Sequence, residues 1–295
     1  MQYYSNAQRV FAAFNYTFLL LVSILCLLPF INLLAISFSA SAPVAAGHVL
    51  FWPIDFTLDS YLFALRGDQF TRAFIISIQR TALGVVVNVL LMLLTAYPLA
   101  RTSDSLTGRN FYMGIFVFIM IFHGGMIPTY LVVVNLGLLN SIWALILPTA
   151  LPVWNMIILM NFLRQLPNEL EEAAHIDGAG PFRTLTYIIF PLSKPAIATV
   201  ALFCIVFHWN DWFSGLIYMQ NVRDYPLQTY LHIVLRDFET LMRMADGDIA
   251  ALLAMMNART GRASQLFLGA VPVLMIYPFL QKYFTKGLVL GSVKG

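Results

Sequence analysis

Residues 169–191 read ELEEAAHIDGAGPFRTLTYIIFP, and they gather four of the chain's 14 acidic residues into one polar stretch. Everything around that stretch is apolar. Of the 295 residues, 60% are hydrophobic and 11% charged, where soluble globular chains run at roughly 45–50% and about 25%. The apolar residues form blocks. No Asp, Glu, Lys or Arg occurs at 10–54, at 81–100 or at 110–163. Runs of this kind meet or exceed the ~20 residues that cross a ~30 Å hydrocarbon core, so the chain reads as an all-α, polytopic membrane protein.

Working outward, six spans are expected: about 14–37, 81–100, 110–134, 141–162, 196–219 and 264–281. The long block at 110–163 is divided because GGMIPTY at 124–130 and NLGLLNS at 135–141 carry the Gly, Pro and Asn that punctuate helices. The first block is longer than a signal-peptide core and has no small-x-small cleavage site directly after it, so it reads as a retained span. Six spans put both termini on one side, together with the loops at 101–109 and 163–195. That side holds Arg9, Arg101, Arg109, Arg164, Arg183, Lys194, Lys282, Lys286 and Lys294, and the other holds Arg66, Arg72, Arg223, Arg236, Arg243, Arg259 and Arg262. The positive-inside rule makes the first side cytoplasmic. Residues 1–295 are then a single transmembrane domain, with a cytoplasmic loop at 163–195 and an extracytoplasmic loop at 220–263.

Within the opening stretch, Asn168 is placed to cap a helix whose first turn carries Glu169, Glu171 and Glu172, where the helix dipole favours acids. Asp177-Gly178 supplies the stop. Gly180-Pro181 starts a second short segment, bounded by Pro191 and Pro195. Leu170, Ala173 and Ala174 are expected to share one slim apolar ridge. Spacing alone leaves two readings open: a solvated connector, or a docking helix for a soluble partner.

A resemblance separates them. EAAHIDG at 172–178, followed after nine intervening residues by Ile188 and then Pro191, resembles the EAA motif of bacterial ABC importer permeases, with Phe190 where the motif has Leu. LTAYPLAR at 94–101, YLVVVNLGLLNS at 130–141, HWNDW at 208–212 and the terminal QKYFTKGLVLGSVKG resemble the carbohydrate permeases related to the second permease subunit of the maltose transporter. GGMIPTY is similar to the branch handling oligosaccharides, polyuronide fragments included. The resemblance implies a type I importer permease fold in a bacterial cytoplasmic (inner) membrane. It further implies a second permease, two ATPase subunits and an extracytoplasmic binding protein as partners. Glu171, Glu172, Ala173, Ala174, Asp177 and Gly178 would then couple to the ATPase, and the tail Gly291–Gly295 would reach toward it. ATP and Mg would sit on the partner subunits, with no cofactor on this chain. Asn257, Arg259 and Arg262 would meet the binding protein.

Residues that bear on a substrate path are Trp209, Asn210, Asp211 and Trp212 near the outer end of span five, and Arg80 at the outer start of span two. Asn210 and Asp211 suit sugar hydroxyls and either Trp a ring face; the same residues also fit an interfacial belt with Asp211 in water. Arg80 either snorkels to headgroups or attracts a carboxylated sugar. His123 reads as a packing residue. Cys26 and Cys204 lie in apolar blocks and read as small buried hydrophobes. No Walker-type phosphate loop, H-E-x-x-H or Cys/His cluster occurs, and the small net charge of +3 gives no case for nucleic acid. An intramembrane enzyme lacks a nucleophile–base pair. The remaining alternative, an ion-coupled carrier, has Asp211 as its one intramembrane acid and leaves the EAA stretch without a role.

Overall fold

The computed structural model describes residues 6–66, 68–101, 106–244, 259–276 and 278. In chain order the helices are α1 (Asn6–Ser37), α2 (Ser41–Ala45), α3 (Asp59–Arg66), α4 (Asp68–Ala100), α5 (Arg109–Ile121), α6 (Met126–Asn135), α7 (Val153–Leu163), α8 (Glu169–Ile176), α9 (Pro181–Thr184), α10 (Phe190–Leu192), α11 (Lys194–Asn210), α12 (Phe213–Tyr218) and α13 (Leu227–Met244). A last helix, α14, covers 259–276. Among the described residues, β pairing is limited to an isolated bridge between Ser39 and Phe56.

Among the described residues, two helices are long and apolar enough to cross a membrane alone, Ala7–Ser37 within α1 and the whole of α4; three bent pairs bring the count to five if each pair is one span. The pairs are α5 with α6, bent by 112°; Ile142–Thr149 with α7, bent by 54°; and Pro181–Leu192 with α11, bent by 83°. Each bend has a local cause. Gly125 takes a φ of 91° ahead of α6, a conformation that costs a glycine nothing. Pro148 and Pro152 bracket the second break, with Pro152 capping α7. In the third, a π turn at Leu185–Ile189 precedes Pro191, which has no amide to continue the ladder. The expected spans at 110–134 and 141–162 are therefore each broken, and span five stops at Asn210 rather than 219. The described part of the span expected at 264–281 is helical; the rest of it lies outside the described residues.

The chain divides into two compact units, Met1–Thr71 with Leu231–Val271 and Arg72–Tyr230 with Pro272–Gly295. The first has a small core of Ala35, Val44 and Val49, backed by Ile36. Hydroxyls stitch it together. Ser39 Oγ donates to the Ala35 carbonyl at 2.7 Å and accepts from the Ile54 amide at 3.0 Å, and Ser264 Oγ donates to the Ser60 carbonyl at 3.0 Å. Most of α1 is exposed from Val10 to Phe30. An apolar helix with so little cover is stable in hydrocarbon, not in water.

The second unit packs Met92, Leu93 and Ala96 of α4 against Met156, Leu159, Met160 and Leu163 of α7 and Ile197, Val200 and Cys204 of α11. Spacings of three and four put each set on one face of its helix. This three-helix core holds the C-terminal half of α4.

Candidate functional site

The acidic stretch folds as a short helix, a glycine turn and a second helical segment. Glu169, Glu171 and Glu172 occupy the first turn of α8, against the positive end of its dipole. Asn168 does not cap it as expected. It is itself helical (φ −65°, ψ −27°) and makes no side-chain cap bond, while its carbonyl accepts the amides of Glu171 and Glu172 at 3.0 Å. At the other end Gly178 has a φ of 75°, and the Ala179 amide closes onto the Ala174 carbonyl at 2.8 Å, a glycine-terminated helix end.

The faces of α8 also differ from the expected ridge. Ala174 is 4% exposed and turns inward with the half-buried Leu170, whereas Ala173 turns outward. Glu172, Ala173 and Ile176 form the free face, with Ile176 86% exposed; Asp177 and Gly178 are exposed too. Phe182 and Tyr187 in the following segment are likewise open.

Glu171 turns back to its own chain. Its Oε2 lies 2.8 Å from Arg101 Nη2, just past the end of α4. Arg101 stacks on the Tyr97 ring at 4.5 Å and donates to the Tyr97 hydroxyl. Two further arginines converge there: Arg109 Nε and Arg164 Nη2 donate to the Leu99 carbonyl at 3.0 and 3.5 Å, meeting the negative end of α4. Burial, then the neighbouring Arg109, draw the Arg164 guanidinium below its ordinary value.

Around its middle α4 carries a polar seam against α11. Arg80 is 0% exposed. Its guanidinium pairs with the Asp211 carboxylate and donates to the Asp211 carbonyl at 2.9 Å and the Leu145 carbonyl at 3.4 Å. Asp211 Oδ1 accepts the amides of Phe213 and Ser214 at 3.0 and 3.2 Å, starting α12. Two turns further along α4, Asn88 Nδ2 donates to the Thr149 and Ala150 carbonyls at 2.8 and 2.7 Å, while its Oδ1 lies 2.7 Å from His208 Nε2. Asn88 thus satisfies carbonyls that the broken segment before α7 leaves unpaired. Gly84 makes room: a Cβ there would lie 2.5 Å from the His208 ring. Arg80 faces the protein interior rather than a lipid surface, since it is fully buried and paired with Asp211. Trp209 is buried, edge-on to Phe74 at 5.7 Å. Asn210 is exposed and bonds back to the Val206 carbonyl at 3.0 Å, and Trp212 keeps an exposed ring beside Phe213.

A cavity of about 680 Å³ opens between the two helix breaks. Phe122, His123 and Gly124 bound it on one side and Pro148, Thr149 and Pro152 on the other. Trp154 and Asn155 of α7, with Phe203 and Phe207 of α11, form its walls. The sequence pattern does not mark these residues as a site; the signal that points to them is the Gly-Gly and Pro-x-x-x-Pro punctuation inside an uncharged block. In the other unit, Arg262 is buried and Arg259 is exposed, its Nη1 donating to the Val44 carbonyl at 3.4 Å. Burial, and Arg259 beside it, bring Arg262 down to about 10, so it remains a cation at neutral pH. Asn257 and the Gly291–Gly295 tail lie outside the described residues. No group of three His, Cys, Asp or Glu able to hold a metal ion occurs among the described residues.

Long apolar helices, a buried ion pair between two of them and a clamped acidic helix with a free face define a polytopic helical membrane protein. Over residues 62–288 the chain matches the family described as binding-protein-dependent transport system inner membrane component, and it belongs to that family. It is 39% identical over 289 residues to the polygalacturonan/rhamnogalacturonan transport system permease protein YtcP of Bacillus subtilis strain 168, covering 97% of this chain and 99% of that one. It is 42% identical over 297 residues to protein LplC of the same organism, covering 99% and 97%. Among solved structures it is similar to a chain of a bacterial ABC transporter involved in the import of the acidic polysaccharide alginate, with a TM-score of 0.86, 29% identity, and coverage of 96% of this chain and 100% of that one. The fold is that of an ABC importer permease.

Proposed function

We propose that this chain is one of two permease subunits in an ATP-driven, binding-protein-dependent importer of acidic oligosaccharides, uronate-containing fragments among them. It would lie in a bacterial cytoplasmic membrane as one domain, with six spans and both termini inside. Two ATPase subunits bind ATP and Mg; an extracytoplasmic protein delivers the sugar to the loop at 220–263, where Asn257, Arg259 and Arg262 meet it. The substrate class comes from two relatives, the polygalacturonan permease and the alginate transporter.

The observation that carries the coupling role is the arrangement of α8. A helix whose acids merely kept a connector in water would have no need of an exposed Ile176 beside Glu172 and Ala173. Such a face fits a cleft, where the small Ala173 permits close approach and Glu172 meets a basic residue. Glu171, Ala174, Asp177 and Gly178 shape and hold that face. Of the outer residues, Asn210 and Trp212 keep the surface needed to touch sugar, while Trp209, Arg80 and Asp211 frame the path. The ion-coupled alternative needs a free acid in the membrane, and Asp211 is already neutralised by Arg80.

Glu172→Lys tests the coupling role. With the full complex in proteoliposomes, ATP hydrolysis is expected to persist while uptake of labelled trigalacturonate falls by at least about tenfold, the equivalent of 1.4 kcal/mol. Uptake unchanged from the parent protein, with normal membrane insertion, contradicts docking through this face.

A further inference from the structure

The two helix breaks flanking the cavity lie at one depth. From the end where Arg101, Arg109 and Arg164 gather, α5 runs 13 residues and α7 runs 11, or about 20 Å and about 16 Å at 1.5 Å per residue. Both breaks therefore fall inside a ~30 Å hydrocarbon layer. Irregular backbone at that depth is stable only where protein covers it or where it lines a water-filled cavity, since lipid offers no hydrogen bonds. Residues 122–125 are irregular and exposed. The void beside them is lined by Asn155 and His123, polar groups that in a span mark a path rather than a lipid face.

We propose that this cavity is a saccharide subsite on the translocation path, holding a pyranose ring by its faces and hydroxyls. The proposal rests on the transport function given above. Trp154 is 65% exposed and offers an aromatic face, with Phe203 and Phe207 on the neighbouring helix. Sugar rings present C–H faces that settle on such π surfaces. The Asn155 amide donates to the Cys204 sulfur at 3.8 Å, a weak acceptor that a sugar hydroxyl readily displaces. No Lys or Arg lines the cavity, so it grips ring and hydroxyl rather than carboxylate. Its volume of about 680 Å³ is in the range of ligand pockets.

The test uses the complete complex with its binding protein in proteoliposomes. Trp154→Cys is made in a Cys26→Ser/Cys204→Ser background and treated with a charged, water-soluble methanethiosulfonate or a lipid-soluble maleimide. The subsite requires reaction with the charged reagent, slowed at least about fivefold by saturating trigalacturonate. It also requires Trp154→Ala to lower trigalacturonate uptake about tenfold, the scale of one lost stacking contact, while Trp154→Phe stays within about twofold. Reaction with the maleimide alone makes the cavity a lipid site, reaction with neither makes it a subunit contact, and each result overturns the proposal. Reaction without protection also overturns it, even where the parent complex imports the sugar with ATP. A parent complex that imports no oligosaccharide with ATP sinks the transport function instead, and protection at position 154 then still decides the subsite.

Discussion

Arg80 and Asp211 stand 131 positions apart in sequence and meet in the protein interior, with Arg80 0% exposed. Neither is stable there alone, because a buried charge without its partner loses hydration and gains nothing in return. Asp211→Asn is expected to cost on the order of 3–5 kcal/mol by stranding the guanidinium. It would appear as a fall in the thermal midpoint of the detergent-solubilised protein. The double variant Arg80→Met/Asp211→Asn, which keeps a side-chain oxygen for the Phe213 and Ser214 amides, should recover most of that loss, and a double variant as unstable as the single one would contradict this pairing. Gly84 carries a related prediction. Gly84→Ala drives a Cβ into the His208 ring and should destabilise by about 1–3 kcal/mol, whereas the same substitution in a His208→Ala background should cost markedly less. Equal costs in both backgrounds would show that the ring is not what the glycine accommodates. Both acidic and basic members of this seam were visible as ionisable residues near spans, but their pairing was not. A single sequence gives position along the chain, and a contact between α4 and α11 depends on how the spans pack.

At the scale of elements, α4 is held by ion pairs just past its last residue and near its middle. Arg101 grips Glu171 of α8 at one end, and Arg80 grips the α11–α12 junction near the middle. A push on α8 therefore has a direct route into a spanning helix. Arg101→Glu is expected to lower coupled uptake about tenfold while ATP hydrolysis continues. The exchange Arg101→Glu/Glu171→Arg should restore at least half of the parent rate. Failure of the exchange, with both proteins folded and inserted, would mean that the pair does not position α8. The EAA helix itself was legible because its signals are local: acids in a first turn, small residues, then a glycine that takes a positive φ. Its faces are less legible in the sequence. The alanines look equivalent in sequence, and only packing against the rest of the chain turned Ala174 in and Ala173 out. The breaks at 122–125 and 150–152 show the same limit. Glycine and proline announced punctuation, but a bend of 112° inside an apolar block could not be told from a loop between two spans.

At the scale of the molecule, apolar surface remains bare along α1, α5 and α6. Lipid covers such surface without any further contact, and a second permease can cover part of it. The membrane class was legible from composition alone, since no soluble packing buries 60% hydrophobic residues arranged in runs. The division into two compact units was not, because it depends on long-range contacts that join Met1–Thr71 to Leu231–Val271. What drives transport is the decisive property. Proteoliposomes containing this chain, its partner permease, the ATPase subunits and the binding protein should accumulate labelled trigalacturonate when ATP is present with the ATPases, and not when a proton or sodium gradient is imposed without ATP. Accumulation driven by either gradient in the absence of ATP would contradict ATP-driven import.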